Sequence, residues 1–314
     1  MLNLREMQLS GRIFDALIVG GGPAGLAAGY YLARFRRDVR LVDSGESRAA
    51  WVPVSHNHAG FPQGIRGPEL LENMRCQLRE FGGAIERAHV KGAEVVDGVF
   101  NLTTDAGPLR SRTLLLATGV LDVRPDVPDL PDAVRDGLVR YCPVCDAYEA
   151  RDRDVLVLGS GESGFGEADF LRDFSDKVTV FTQGKDIDRS GAICRRLVAR
   201  GVEIVDIPLK MLAADTTSKH VLVTLMDGRV LYADVVYSAL GYLPRVSLAE
   251  SLGVKLGPDR RIVTDDHQET SVRNCFAAGD VVQGLNQISV AIGQAAVAAT
   301  TIHNRLREAA RSRA

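Results

Sequence analysis

The same local pattern occurs twice in this sequence: a short apolar run, a glycine-rich turn, and a segment of helix-forming residues. The two turns read Gly20-Gly21-Gly22-Pro23-Ala24-Gly25 and Gly159-Ser160-Gly161-Glu162-Ser163-Gly164. In such a turn the first glycine permits a tight bend, the second lets a pyrophosphate approach the backbone, and the third lets helix and strand pack closely. Two copies of strand, turn and helix restrict the chain to an α/β fold with two nucleotide-binding units of the Rossmann type.

The residue that ends the second strand of each unit indicates which nucleotide the unit binds. In the first unit that residue is Asp43, about 20 residues after the glycine turn, where a carboxylate binds the ribose hydroxyls. In the second unit the sequence at 182–184 is Thr-Gln-Gly, which offers neither the acid of an NAD site nor the arginines of an NADP site. Lys185 and Arg189 follow, but single flexible cations replace an arginine fork poorly. We therefore predict a bound dinucleotide in the first unit, whereas use of the second fingerprint is doubtful.

Between the two units lies a pair of cysteines separated by two residues, Cys142 and Cys145. This spacing near a βαβ pattern favours dithiol redox chemistry, and Asp146, directly after the second cysteine, supplies a proton donor. Half of a zinc site and an inert pair of small buried residues are the alternatives. A zinc site would need a second pair of ligands, but the other cysteines are scattered singly at positions 76, 194 and 275. We predict a redox pair and no metal.

Composition bounds the class of protein. A chain of 314 residues is longer than one core usually supports, so two domains are expected. The net charge of −2 favours neither nucleic acid nor an anionic membrane as a partner. No apolar run is long enough to span a membrane, and the first 14 residues do not resemble a signal peptide. Five cysteines in such a chain do not form a disulfide scaffold, so we expect a cytoplasmic protein.

Two irregular stretches interrupt the α/β pattern. The stretch from Ser44 to Pro68 is loop-like and carries the single tryptophan, Trp51, for which packing in a core or interface is favoured over a flavin contact. The stretch 120–131 contains prolines at 125, 128 and 131 and is predicted to break regular structure. We place the first domain boundary there and the second near Pro244.

Taken together, five motifs resemble those of the low-molecular-weight thioredoxin reductase family in order and spacing over nearly the whole chain. They are Gly20–Gly25, Ala117-Thr118-Gly119, Cys142–Asp146, Gly159–Gly164 and Ala277-Ala278-Gly279-Asp280. The resemblance implies two Rossmann-like dinucleotide-binding domains of the three-layer ββα type, the second inserted in the first. It implies an FAD-binding domain at 1–119 and 246–314, an NAD(P)H-binding-like domain with the dithiol at 120–245, and a homodimer.

The resemblance also implies a role for each matching residue. Cys145 would face the flavin, Cys142 would attack the external disulfide, and Asp146 would protonate the leaving thiolate. The implied FAD-binding residues are Gly20, Gly22, Pro23, Ala24, Gly25, Asp43, Asn57, Thr118, Gly119, Gly279, Asp280, Gln287 and Ile288. The second nucleotide fingerprint, whose use is doubtful, consists of Gly159, Gly161 and Gly164.

Two departures from the family concern the electron donor. The family's His-Arg-Arg motif, which binds the 2′-phosphate of NADPH, falls on 182–184, and its Arg-Gln-Ala motif falls on Asn286-Gln287-Ile288. NADPH is therefore doubtful, and ferredoxin or another reduced flavin becomes the expected donor. We expect an FAD-dependent disulfide oxidoreductase acting on a thioredoxin-like protein or a small disulfide or dithiol. A dithiol oxidase that uses oxygen, a flavin-binding redox sensor, and an NAD(P)H oxidase of related architecture stay open.

Overall fold

A computed structural model describes residues 11–185 and 187–312 and divides the chain into two compact units. Among the described residues, the first unit contains 11–50, Gly67–Leu121 and 244–312. The second unit contains Trp51–Arg66 and Asp122–Leu243. The chain therefore passes between the units at 50/51, 66/67, 121/122 and 243/244. The last two crossings lie two residues from the predicted boundaries at 119/120 and 245/246. Residues 1–10 of the predicted first domain lie outside the described residues.

The first unit is built on one mixed sheet with helices. Its strands are β1 (Ile13–Val19), β2 (Val39–Asp43), β3 (Ala84–Arg87), β4 (Val90–Val96), β5 (Val99–Thr104), β6 (Gly107–Leu116) and β17 (Cys275–Ala277). Its helices are α1 (Pro23–Arg34), α2 (Gly67–Glu80), α7 (Ser247–Ser251) and α8 (Ile288–Arg311). The helical spacing of Leu70, Leu71, Met74 and Leu78 predicts a helix over 68–81, and the Asp97-Gly98 pair predicts a hairpin turn; both elements are present.

The order of the strands decides which chain segments meet. β1 pairs in parallel with β2 on one side and β6 on the other, and β3 pairs with β2. β17 pairs in parallel with the second half of β6, while the β4–β5 hairpin pairs antiparallel with its first half. Because parallel strands place their carboxyl ends at one edge of a sheet, the residues that follow β1, β2, β6 and β17 meet there.

The middle of the chain forms a second set of elements. The strands are β7 (Val120–Asp122), β8 (Val139–Arg140), β9 (Val155–Leu158), β10 (Val178–Phe181), β11 (Glu203–Val205), β12 (Leu209–Asp215), β13 (His220–Leu225), β14 (Val230–Ala233), β15 (Val235–Ser238) and β16 (Tyr242–Pro244). The helices are α3 (Leu130–Arg135), α4 (Pro143–Asp146), α5 (Gly161–Leu171) and α6 (Ala192–Ala199). The parallel sheet of the second unit has the order β11-β10-β9-β15-β8, and β12-β13-β14 form a separate antiparallel sheet.

Alternation along the strands divides the second unit into layers. In β9, Val155 and Val157 pack with α5 and α6, whereas Leu156 and Leu158 pack with the β12-β13-β14 sheet. Successive side chains of a strand point to opposite faces, so one apolar strand serves two cores. The unit therefore has three layers, with the parallel sheet in the middle. This confirms the predicted α/β class with a second Rossmann-like unit of the ββα type.

The segment 51–66, which the prediction places in the FAD-binding domain, groups by its contacts with the second unit. Trp51 packs against the apolar core of the second unit, and the guanidinium of Arg124 lies 4.2 Å from the centre of its indole ring. Ser55 and Ile65 exchange two backbone hydrogen bonds of 2.8 and 3.0 Å, which closes the segment on itself. The indole thus serves packing, and burial of its apolar surface draws the segment to the second unit.

The proline-rich stretch 120–131 also differs from its prediction as irregular. It begins with β7, which pairs with β16 and whose Val120 is buried. The prolines follow β7, where they no longer interrupt a ladder. Within the described ranges, no helix combines the length and apolar character needed to cross a membrane.

Candidate active site

The turn between β1 and α1 requires glycine at two positions. Gly20 has a φ of +112°, and a Cβ there would lie 2.2 Å from the carbonyl oxygen of Ala117. A Cβ on Gly25 would lie 1.9 Å from the carbonyl oxygen of Gly20. Gly22 is the extended N-cap residue of α1, which begins at Pro23. The turn therefore presents the backbone N–H groups at the start of α1, as a dinucleotide-binding turn does.

Gly25→Ala is expected to lower the free energy of unfolding by about 3 kcal/mol, because the added methyl group meets backbone that cannot turn away. Gly166→Ala in α5 is the matched control, since a Cβ there meets no atom within 4 Å. Alanine at that helical position stabilises by up to about 1 kcal/mol. Denaturant unfolding of the two variants measures the difference, and equal stabilities contradict the close packing of this turn.

Asp43 is the buried carboxylate at the end of β2. Its Oδ1 accepts hydrogen bonds from the backbone N–H groups of Gly21, at 3.2 Å, and Gly45, at 2.9 Å. Its Oδ2 lies 4.0 Å from Nη1 of Arg87, whose side chain is exposed. Two backbone donors hold the carboxylate at the edge of the glycine turn, where a ribose-binding acid belongs.

Two further strand ends lie beside the glycine turn. β6 is followed by Thr118 and Gly119, and the Thr118 hydroxyl donates to the carbonyl oxygen of Arg245 at 2.7 Å. β17 is followed closely by Gly279, where an added Cβ would lie 3.0 Å from the Cβ of Ala24 in α1. The structure thus brings together the predicted residues that follow β1, β6 and β17.

The start of α8 completes this edge of the sheet. Asp280 lies 3.3 Å from Nη1 of Arg48, Gln287 is the N-cap of α8, and Ile288 is its first residue. The Cβ of Ala291 lies 3.7 Å from the position of a Cβ on Gly279. We define the dinucleotide cradle as the turn 20–25, Asp43, Thr118, Gly119, Gly279, Asp280, Gln287 and Ile288. Its backbone donors, fixed carboxylates and helix N-terminus fit a dinucleotide such as FAD.

The second glycine turn has the same tight geometry. A Cβ on Gly159 would lie 2.7 Å from the carbonyl oxygen of Ala239, and one on Gly164 would lie 2.6 Å from the carbonyl carbon of Gly159. Gly161, by contrast, has a φ of +66° and open space around its Cβ position. The backbone of this turn therefore suits a nucleotide, and any selectivity depends on the residues that follow β10.

The residues after β10 provide little to hold a phosphate. Thr182 is buried, and within the described chain its hydroxyl has no hydrogen-bond partner. Gln183 adopts a φ of +59° and leads into the turn at Gly184. Arg189 pairs with Asp206 at 2.6 Å, which neutralises one of the two cations that follow, and Lys185 is exposed.

The redox pair lies in the second unit. Cys142 and Cys145 are joined by a disulfide, and both side chains are half-buried. Cys142 is the N-cap of α4, and the N–H of Cys145 donates to its carbonyl oxygen at 2.9 Å. α4 has only four residues, so its dipole contributes less to thiolate stabilisation than a long helix would.

Asp146 ends α4 and lies in a largely buried polar cluster. The hydroxyl of Tyr237 donates to its Oδ1 at 2.9 Å, and Nη1 of Arg140 lies 3.7 Å from its Oδ2. Burial raises the pKa of Asp146 to about 6, although the Arg140 charge and the Tyr237 hydrogen bond lower it; Glu149 raises it further. The carboxyl group next to the disulfide therefore keeps its proton to a higher pH than an exposed aspartate.

The family profile described as pyridine nucleotide-disulphide oxidoreductase matches residues 14–295. The chain belongs to this family. A thioredoxin reductase of Treponema pallidum is 30% identical over 294 residues, which cover 91% of this chain and 95% of the relative. A thioredoxin reductase of Bacillus subtilis is 29% identical over 309 residues, which cover 95% and 96%. The crystal structure of thioredoxin reductase from Streptococcus pyogenes aligns with a TM-score of 0.86 and 30% identity, covering 94% of this chain and 99% of that one.

These likenesses confirm the predicted resemblance to low-molecular-weight thioredoxin reductases. The protein is an enzyme of the disulfide oxidoreductase class, and the family depends on FAD. Asn57 lies in the segment that groups with the second unit, where its Oδ1 accepts from the Ser55 hydroxyl at 3.0 Å. Its contact with FAD stays a prediction.

Sequence reasoning missed four residues that shape this oxidoreductase. Arg140 and Tyr237 contact Asp146, Arg48 pairs with Asp280, and the Gln294 side chain accepts from the N–H of Gly279 at 2.8 Å. Tyr237 is 91 residues from Asp146, and Arg48 is 232 from Asp280, so local spacing offers no clue. Among residues 11–185 and 187–312, no three His, Cys, Asp or Glu side chains are arranged to hold a metal ion.

Proposed function

We propose that this oxidoreductase reduces the Cys142–Cys145 disulfide through FAD held in the dinucleotide cradle, with electrons from a donor other than NADPH. The reduced pair then reduces a disulfide of a thioredoxin-like protein or a small molecule. The observation that carries the proposal is the disulfide beside a buried carboxyl group with a raised pKa. We also propose a homodimer that works in the cytoplasm, as the resemblance to low-molecular-weight thioredoxin reductases implies.

FAD, when bound, supplies the two-electron chemistry that opens the protein disulfide. The glycine turn 20–25 would hold its pyrophosphate and Asp43 its ribose. Asp280 and the start of α8 would hold the remainder. Each of these groups has its position fixed by other parts of the first unit, so the cradle is formed by the fold itself.

The chain's own residues carry out the thiol exchange. The Cys142 thiolate attacks one sulfur of the external disulfide, which breaks that bond, forms a mixed disulfide and releases the first thiolate. Asp146 gives that thiolate a proton and regains one from water. The Cys145 thiolate then attacks Cys142, re-forms the protein disulfide and releases the second thiolate. The external disulfide gains two electrons, and the protein dithiol loses two.

The end of β10 supports a donor other than NADPH. The family's arginines are replaced by a buried threonine and a tight turn at 182–184, and Arg189 is already paired with Asp206. A protein donor such as ferredoxin, or another reduced flavin, needs no 2′-phosphate site. We therefore propose one of these as the source of electrons.

An anaerobic titration of the FAD-loaded protein tests the proposal. NADPH and NADH are expected to leave the visible flavin absorbance unchanged over minutes, whereas reduced ferredoxin or a reduced free flavin bleaches it. With the donor in excess, two new thiols per chain should then react with a thiol reagent, because the Cys142–Cys145 disulfide accepts two electrons and two protons when it is reduced. Cys142→Ser is the matched control and should bleach without gaining two thiols.

Other outcomes overturn parts of the proposal. Rapid bleaching by NADPH would show that the proposed donor is wrong. Slower bleaching in Lys185→Ala would then show that Lys185 contacts the 2′-phosphate. Oxygen consumption with a dithiol substrate would show that electrons flow from the substrate to oxygen, as in a dithiol oxidase. Bleaching without any gain of thiols would show that no electrons pass from the flavin to the disulfide, which favours a redox sensor.

A further inference from the structure

We infer that Tyr237 and Arg140 are positioning residues, which hold the Asp146 carboxyl group in place to give a proton to a departing thiolate. We call these two side chains the clamp. The inference rests on the proposed function, because it requires thiol exchange at Cys142 and Cys145. It adds two residues that the motifs of the sequence do not indicate.

The clamp comes from two neighbouring strands. β8 and β15 pair in parallel, and their register places the Cα atom of Tyr237 opposite that of Arg140. Directly paired residues of neighbouring strands point to the same face of a sheet. The Arg140 guanidinium accordingly lies 6.0 Å from the centre of the Tyr237 ring, and its Nη1 lies 3.4 Å from the hydroxyl oxygen. Both side chains therefore reach one point, the end of α4.

The clamp holds both the backbone and the side chain of Asp146. The Tyr237 hydroxyl lies 3.0 Å from the carbonyl oxygen of Asp146 and 2.9 Å from its Oδ1. Nη1 of Arg140 donates to the same carbonyl oxygen at 2.8 Å, while its Nε donates to Gly137 at 3.0 Å. These contacts fix the residue that immediately follows Cys145, and with it the direction of the carboxyl group.

The tyrosine hydroxyl has a role that packing alone does not require. Tyr237 is 0% exposed, so a phenylalanine of nearly the same shape would fill its space. A buried hydroxyl needs a hydrogen-bond partner, and here the partner is Asp146. Burial raises the pKa of Tyr237 well above its ordinary range, so the hydroxyl stays protonated and acts as a donor.

The charges around Asp146 explain what the clamp does to proton transfer. Burial and the Glu149 carboxylate oppose ionisation of Asp146, whereas Arg140 and Tyr237 favour it. When the acid gives its proton to a thiolate, a thiol forms and a buried carboxylate is left behind. The clamp stabilises that carboxylate until water returns a proton. Without the clamp, Asp146 holds its proton more tightly and is less well oriented.

The test is a single-turnover measurement on FAD-loaded protein that has been reduced with dithionite and freed of excess reductant, so the physiological donor is not needed. One sample is mixed with hydroxyethyl disulfide, whose alkyl thiolate leaves well only when it receives a proton. A parallel sample is mixed with dithiobis(nitrobenzoate), whose aromatic thiolate leaves without one. The ratio of the two rates across the pH range isolates proton donation.

The rate ratio, alkyl over aromatic, is expected to fall in the natural protein as Asp146 ionises. In Tyr237→Phe the midpoint of this decrease should shift to a pH that is higher by roughly 1 unit. The ratio at low pH should also be severalfold lower than in the natural protein. Arg140→Met should act in the same direction, and Arg140→Lys, which keeps the charge, should act less. Tyr232→Phe on β14, where the side chain is 70% exposed, is the matched control and should change nothing.

Each remaining outcome decides the inference. Identical ratio profiles for the natural protein, Tyr237→Phe and Arg140→Met overturn it, as does a variant that slows both disulfides equally. An effect of Tyr237→Phe that persists in an Asp146→Asn background also overturns it. A reduced natural protein that reacts with neither disulfide rejects the proposed function instead. If Tyr237→Phe fails to bind FAD, the Arg140→Met and Arg140→Lys pair decides.

Discussion

Cys145→Ser is expected to keep FAD bound while its disulfide-reducing turnover falls by about a thousandfold or more, equivalent to at least about 4 kcal/mol. A serine hydroxyl cannot form the protein disulfide, so electrons from the flavin have no acceptor in the chain. FAD retention should be unaffected, because the cradle is built from strands and helices of the other unit. Flavin absorbance after gel filtration and steady-state reduction of a thioredoxin-like protein measure the two effects.

Cys76→Ser is the matched control for this loss. Cys76 lies on α2, is exposed, and forms no disulfide, so its replacement should leave turnover within about twofold of the natural protein. Cys142→Ser should be as inactive as Cys145→Ser, since either change leaves a single thiol. Full turnover in the Cys145→Ser protein would show that the dithiol assignment is wrong.

The elements that the sequence predicted best are those whose local chemistry permits one structure. The Asp97-Gly98 turn joins β4 and β5 as predicted because both residues adopt positive φ angles, +53° and +75°, which this pair tolerates. The short runs at 155–158 and 178–181 predict two strands, and β9 and β10 have these bounds, because each run is mostly apolar and is followed by glycine or a polar residue. The glycine turns are similarly constrained, since close backbone contacts require glycine there.

The parts that the sequence did not predict depend on partners far along the chain. β12 was missed because only Leu212 among its side chains is buried and the strand shows no clear apolar alternation. Trp51 packs against the core of the second unit, and no local sequence pattern indicates this contact. The cluster around Asp146 arises from the register between β8 and β15, which only the folded sheet establishes. Asp146 itself is visible from its motif, but the burial that raises its pKa is not.

Asp146→Asn is expected to slow reduction of an alkyl disulfide by about 100- to 1,000-fold at slightly acidic pH, because an amide cannot give the leaving thiolate a proton. The pKa of Asp146 is about 6, so the natural protein loses its protonated acid as the pH rises above that value. The advantage of the natural protein over Asp146→Asn should therefore shrink from slightly acidic to slightly alkaline pH. Single-turnover rates with hydroxyethyl disulfide measure it, and an advantage independent of pH contradicts the assignment of Asp146 as the acid.

The pH dependence of stability tests the burial of Asp146 independently. Asp146→Asn lowers the rate at acidic pH, but it should raise the relative stability at neutral pH. The pKa of Asp146 rises on folding from 3.8 to about 6, so the folded state favours the protonated acid. Below this window both states are protonated and folding carries no charge penalty. Above this window Asp146 is ionised in both states, and the free energy of unfolding is about 3 kcal/mol lower than below it. Asp146→Asn buries no charge, so its free energy of unfolding relative to the natural protein should rise by about that amount across the window. A mutant that is slower at acidic pH yet relatively more stable at neutral pH can only have lost a buried acid, whereas parallel losses of rate and stability indicate a damaged fold.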